Sequence, residues 1–219
     1  MNPSLEIRSA AARPFIASWP AHAARGESLE DLVRVYERSL TLVTAPSGLP
    51  TTDVAVLDAL ATDVPPFEFV KETSPEGEAL EFALPWMEGH AGGPVWLAAA
   101  RPLVALFAEL FEADRIGARL TLSDTPMCPR FHVDNVVCRL VVAFSGAGSE
   151  FLANDDVRRK LLGPRESSVE RSGALIHHLE PREVGLFKGE AWPGNAGNAI
   201  VHRSPAGAGR RLVMTLDLL

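Results

Sequence analysis

His132 and Asp134 stand two positions apart in the stretch Cys128-Pro-Arg-Phe-His-Val-Asp134-Asn. In an extended chain, side chains at i and i+2 project from the same face, so an imidazole nitrogen and a carboxylate oxygen can converge on one point. Two such donors are two thirds of a 2-His-1-carboxylate facial triad, which holds Fe(II) by three ligands and leaves three positions open. The same short pattern also arises by chance, as a histidine in a turn beside an acid, so a third donor has to be found. The C-terminal half supplies one, because NAIVHRSP places His202 at the end of an apolar run, just before a Ser-Pro turn. Nine positions on, the last apolar run begins GRRLVMTLDLL, with Arg210 and Arg211 at its head. An arginine at the start of a core strand is costly unless it meets an anion or an acid. A dicarboxylate cosubstrate would supply that anion through a bidentate guanidinium contact. Strand alternation lets only one of the two arginines face the interior, and the sequence does not say which.

The elements that must position these residues divide the chain in two. From Ile116 onward, short β-type runs alternate with turn residues, and strands are expected near 116–122, 136–144, 174–179, 183–188, 198–203 and 210–218. Ser-Gly-Ala-Gly (145–148), Gly163-Pro164, Trp192-Pro-Gly-Asn and Pro205-Ala-Gly-Ala-Gly separate them. Many short strands with Gly/Pro turns suggest a sandwich or jelly roll. The charged insert 152–172, with DDVRRKLL, reads as one or two helical turns plus a loop. The first half reads as helical and irregular support. SLEDLVRVYERSL begins a helix with Ser28 as cap and Asp31 three positions on, and the LTLVT that follows either extends it or forms a short strand. TTDVAVLDALATD is a second helix, capped by Thr52 or Asp53, and Pro65-Pro66 with KETSPEGE reads as an exposed loop. The strongest helix runs from Pro94 to Asp114, where Pro102 should split or kink it and Leu103, Leu106, Phe107, Leu110 and Phe111 form a face wide enough to lie on a sheet. The expected fold class is therefore α+β, with a jelly-roll (double-stranded β-helix) core over 115–219 buttressed by helices from 1–114, in one compact unit.

Composition excludes several classes of function. The 219 residues are 47% apolar and 22% charged, a globular composition, and the formal charge is −7. No basic field is available to release counterions from phosphate, so no nucleic-acid partner is expected. No signal-peptide layout opens the chain and no run of eighteen apolar residues occurs, so no membrane partner and a cytoplasmic location are expected. Two cysteines do not make a disulfide scaffold. There is no G-x-S-x-G elbow, no P-loop and no dinucleotide-binding glycine fingerprint.

The order H-x-D, distant His, then Arg on the next strand resembles the Fe(II)/2-oxoglutarate-dependent dioxygenases. RLVVAFSGAGSEF is similar to the prolyl-hydroxylase-type strand and Gly-rich turn. PREVGLFKGEAWPGNAGNAIVHRSPAGAGRRLVMTLDL is similar to that superfamily's closing strands. At closer range CPRFHVD, GAGSEFLANDDV, EVGLFKGE and AIVHRSP together resemble the bacterial family catalogued as domain of unknown function 1826, over roughly residues 95–219. The resemblance implies His132, Asp134 and His202 as metal ligands. It further implies Arg211, with Arg210 as competitor, as the anchor of the 2-oxoglutarate carboxylate, and hydroxylation of a small molecule or a protein side chain. Such dioxygenases often carry Ser or Thr two positions after the anchoring arginine. Here Val213 stands there, and Thr121 or Ser123 could supply the hydroxyl instead. Against this stand a cupin-like protein of zinc or iron handling without oxygenase activity, and an interaction module whose H-x-D is accidental.

The remaining chemistry-bearing residues have plainer readings beside the functional ones. Cys128 and Cys138 flank the motif and could join a zinc site, but lack C-x-x-C spacing and read as buried structural cysteines. His177 and His178 are adjacent in a strand and face opposite ways. Arg139 could reach a substrate carboxylate or pair with Glu150 or Asp134; Arg130 flanks the motif on its other side. Trp192 reads as a turn aromatic at the barrel mouth, and His22 and His90 as surface residues.

Overall fold

The structure is a computed structural model that describes residues 19–163, 168–207 and 209–219. The opening stretch, in which no signal-peptide layout is expected, Pro164 of the Gly163-Pro164 turn and Ala208 of the 205–209 turn lie outside the described residues. In chain order the strands are β1 (Ala23–Arg25), β2 (Leu42–Pro46), β3 (Phe67–Thr73), β4 (Ile116–Ser123), β5 (Cys138–Ser145), β6 (Glu150–Leu152), β7 (Ile176–His178), β8 (Glu183–Lys188), β9 (His202–Arg203) and β10 (Arg211–Leu218). Among the described residues of the first half stand two α-helices, α1 (Thr51–Asp63) and α2 (Gly92–Phe111), and 3-10 helices at Leu29–Tyr36 and Glu78–Met87.

A seven-stranded sheet runs β1-β2-β8-β5-β10-β4-β3, antiparallel except for the β1–β2 pair, and a three-stranded sheet runs β7-β6-β9. A bridge between His132 and His202 adds one more segment beside β9. The β5 sequence CRLVVAFS is apolar on both faces because both faces are covered. Leu140, Val142 and Phe144 pack with Leu212, Met214 and Leu216 against Leu57, Leu60, Trp96 and Phe107 of the two helices. Val141, Ala143 and Val213 point the other way and pack with Phe151, Leu179, Phe187 and Ile200 between the two sheets.

Several expectations need correction. The first half is not only helix and loop, since it contributes β1, β2 and β3 to the large sheet. The segment after Pro66 is a strand through Thr73 because Phe67 and Phe69 alternate inward while paired to β4. SLEDLVRVY winds as a 3-10 helix. Its Asp31 Oδ2 accepts the backbone N–H groups of Glu27 and Ser28, and LTLVT yields strand β2. Pro50, not Thr52 or Asp53, is the N-cap of α1. Pro102 does not split α2, whose buried face (Trp96, Ala100, Leu103, Val104, Phe107) anchors it on both sides of the proline. α2 is long and apolar enough to cross a membrane, yet it carries Arg101 and Glu109 and packs this face into the core. The insert does carry the two helical turns expected of it, both 3-10, at Asn154–Asp156 and Arg159–Leu161, whereas the 198–203 run keeps only two residues as strand.

Candidate metal centre

The two histidines meet because their backbones pair. The His132 N–H donates to the His202 carbonyl and the His202 N–H to the His132 carbonyl, both at 3.0 Å. Directly opposed residues of an antiparallel pair carry their side chains on one face, and the ring centroids are 4.5 Å apart. Each ring is oriented by its own strand. His132 Nδ1 lies 2.9 Å from the Arg130 carbonyl, and His202 Nδ1 lies 3.2 Å from the Ile200 carbonyl. A carbonyl only accepts, so the proton sits on each Nδ1 and each Nε2 presents a lone pair. Phe187 of β8 packs edge-on to the His202 ring at 4.8 Å.

Asp134 closes the group. Its Oδ2 lies 3.4 Å from His202 Nε2 and its Oδ1 lies 3.6 Å from His132 Nε2. The three donor atoms fall within 4.8 Å of one another. Oδ2 is buried with no hydrogen-bond partner among the described residues, because the approach of His202 falls outside hydrogen-bond geometry. A carboxylate oxygen and an imidazole lone pair facing each other repel unless a proton or a metal ion stands between them. Burial alone would raise the Asp134 carboxyl, but the imidazole of His202, when it carries the proton that stands between the two, and the guanidinium of Arg139 hold it down to about 2. Burial, with His202 alongside, keeps the His132 imidazole below its ordinary value. One ionised carboxylate and neutral imidazoles are the state in which these side chains bind a divalent cation.

The backbone around Asp134 depends on a glycine that has no chemistry of its own to mark it in the sequence. The Gly189 N–H donates to the Val137 carbonyl and the Glu190 N–H to the Asp134 carbonyl. A Cβ at Gly189 would stand 2.1 Å from the Val136 carbonyl oxygen. The ion pair of Arg139 with Asp134 and Asp217 is a second feature whose full form the spacing did not signal.

The two arginines of β10 part company. Arg210, half-buried, donates to the carbonyls of Thr62 and Val64 at the end of α1 and pairs with Asp124. Arg211 is 5% exposed and shares a strand face with Val213, which lines the space between the sheets. Its Nε donates to the Ala147 carbonyl at 2.7 Å, and its Nη2 is buried without a partner among the described residues. Burial lowers the guanidinium to about 10. Gly146, at φ 81°, leaves room for it, since a Cβ there would lie 2.8 Å from Arg211 Cγ. Thr121 is paired with Val213 and so lies on the same face; its hydroxyl is likewise buried and unpartnered. Ser123 is engaged by its own turn at Thr125.

Other candidates move away from the centre. Cys128 is exposed, not buried, and Cys138 is fully buried on the helix-side face, where burial pushes its thiol up. Arg139 pairs with Asp134 and not with Glu150, which Arg203 takes. Trp192 packs with Tyr36 and Phe111, under the Lys188 ammonium at 4.5 Å, as part of the large core. His177 stacks on Phe151 while His178 is exposed. His22 is buried, with Nδ1 at Thr41 Oγ1 and Nε2 accepting the Asn154 N–H. His90 is half-buried and accepts the Gly92 N–H at the start of α2.

A family model described as protein of unknown function (DUF1826) matches residues 26–217. No protein of curated function matches the sequence. Among solved structures, the chain is similar to a dioxygenase for auxin oxidation from rice (TM-score 0.52, 13% identity, 92% of this chain and 83% of that one). It is also similar to JOX2 in complex with 2OG, Fe and JA (TM-score 0.50, 8% identity, 81% and 67%). A prolyl-4-hydroxylase from Pseudomonas putida aligns more loosely (TM-score 0.43, 14% identity, 87% and 97%). At these identities the likeness is one of fold.

Proposed function

We propose that the chain, which belongs to the family of proteins of unknown function DUF1826, is an Fe(II)- and 2-oxoglutarate-dependent dioxygenase hydroxylating a small molecule or a protein side chain. The observation that carries this reading is the His132–Asp134–His202 cluster, whose buried carboxylate oxygen faces an imidazole lone pair across 3.4 Å. We read the two sheets as a double-stranded β-helix. From β4 to β10 the chain passes back and forth between them, with β6 and β7 consecutive in the small sheet and the segment at His132 as the strand that the bridge to His202 implies.

In this reading His132 Nε2, His202 Nε2 and Asp134 Oδ2 hold the metal, and the backbone carbonyls of Arg130 and Ile200 fix the two rings. Iron bound there would supply activation of dioxygen, one oxygen atom going to a C–H bond of the substrate and the other to succinate as 2-oxoglutarate loses CO2. Arg211 binds the far carboxylate through the buried Nη2 that has no partner among the described residues, and the Thr121 hydroxyl donates beside it. Arg210, committed to the end of α1, has a structural role. The net negative charge favours a small-molecule or protein substrate over a nucleic acid.

Calorimetric titration of the Mn(II)-loaded protein with 2-oxoglutarate tests the assignment. Binding should require the metal, fall at least about tenfold in Arg211→Ala, and persist in Arg210→Ala. Loss in Arg210→Ala alone would transfer the anchor to the other arginine. Tight metal binding with no response to 2-oxoglutarate would overturn the oxygenase reading in favour of metal handling.

A further inference from the structure

Arg139 lies on β5 directly opposite Asp217 of β10 and directly opposite Phe187 of β8. The same row of three strands thus touches two of the three candidate ligands, because Phe187 packs on the His202 ring and Arg139 reaches Asp134. The guanidinium is fully committed. Nη1 lies 2.9 Å from Asp134 Oδ1, while Nε and Nη2 donate to Asp217 Oδ1 and Oδ2 at 2.7 and 2.8 Å. Asp217 in turn is held by the sheet ladder and not by a loop.

We infer that Arg139 and Asp217 are a positioning pair that occupies Oδ1 of Asp134 and leaves Oδ2 as the sole oxygen for the metal. The inference rests on the reading of His132, Asp134 and His202 as ligands. A carboxylate free to rotate can offer both oxygens to a cation; one whose Oδ1 is held in an ion pair 2.9 Å from a guanidinium nitrogen offers one. Monodentate binding keeps a coordination position open for cosubstrate and oxygen. An arginine alone beside the centre would repel a divalent cation, and Asp217 removes that objection. Asp134, Arg139 and Asp217 carry −1, +1 and −1, so the group keeps one net negative charge toward the metal.

The test is a spectrophotometric Co(II) titration of the full chain. Arg139→Gln should weaken Co(II) binding by roughly 10–100-fold and change the d–d band shape, as the loss of a ligand's outer partner does. Arg139→Lys, which keeps the charge but cannot fork to two carboxylates, should not restore the wild-type spectrum. Asp217→Asn is isosteric and keeps the test open should Arg139→Gln fail to fold. It should weaken binding too, and the double variant should bind no worse than Arg139→Gln, because Asp217 acts through Arg139. Wild-type affinity and band shape in both single variants would overturn the positioning role. A wild-type protein that takes up no more Co(II) than His202→Ala would instead overturn the ligand set beneath it.

Discussion

At the scale of single residues, what separates a chance H-x-D from a metal centre is the partner of each polar atom. Both Nδ1 atoms are spent on backbone carbonyls and one carboxylate oxygen on Arg139, so the atoms left over are those that converge. His22 shows the opposite outcome. It is a histidine with both nitrogens satisfied inside the fold, the Asn154 N–H requiring a lone pair on Nε2 and placing the proton on Nδ1. Burial, helped by Arg159, lowers its imidazole to about 4. The unfolded chain takes up this proton near pH 6.5 and the folded chain only near 4, so over that window the unfolded state binds more protons. The contribution of His22 is complete above the unfolded value and is lost on acidification, by up to roughly 3 kcal/mol. Urea unfolding at about pH 7 and about pH 5 should show a steeper loss for wild type than for His22→Gln. Equal losses in the two proteins would contradict this role.

At the scale of elements, the close approach of the Asp134–Val136 segment to the end of β8 sets where the carboxylate stands. Gly189→Ala, which puts a Cβ against backbone atoms on that segment, should cost roughly 1–3 kcal/mol in denaturant unfolding and weaken metal binding together with stability. Unchanged stability would mean that the segment can yield and is not what fixes Asp134. Much of this level was legible beforehand. Strands β4, β5, β8 and β10 announce themselves as apolar runs between turn residues, and His132, Asp134 and His202 by donor type and spacing. What escaped depended on distant partners. β1 is three residues long and exists by pairing with β2, and Phe67-Glu-Phe69 looks like the edge of a loop until β4 lies beside it. Trp192 is drawn into the helix-side core by Tyr36 and Phe111, and His22 is buried by Thr41 and Asn154; no local pattern carries either contact. The choice between Arg210 and Arg211 needed the position of α1, whose last carbonyls claim Arg210.

At the scale of the molecule, the large sheet has two jobs on its two faces. One face packs on α1 and α2 and makes the main core. The other faces the small sheet and carries in one direction the row Phe187, Arg139, Asp217, and in the other Thr121 and Arg211. Most of the helical mass lies behind the sheet, so the small sheet brings His202, with His132 bridged to it, to the face that holds Arg139. That the cluster holds iron with 2-oxoglutarate beside it is open to one direct measurement. The anaerobic protein is titrated with Fe(II) and then 2-oxoglutarate while the visible spectrum is recorded. A weak charge-transfer band that needs both additions, and that is absent in His202→Ala and in Arg211→Ala, is the predicted result. Tight Fe(II) binding with no band on adding 2-oxoglutarate would contradict the claim.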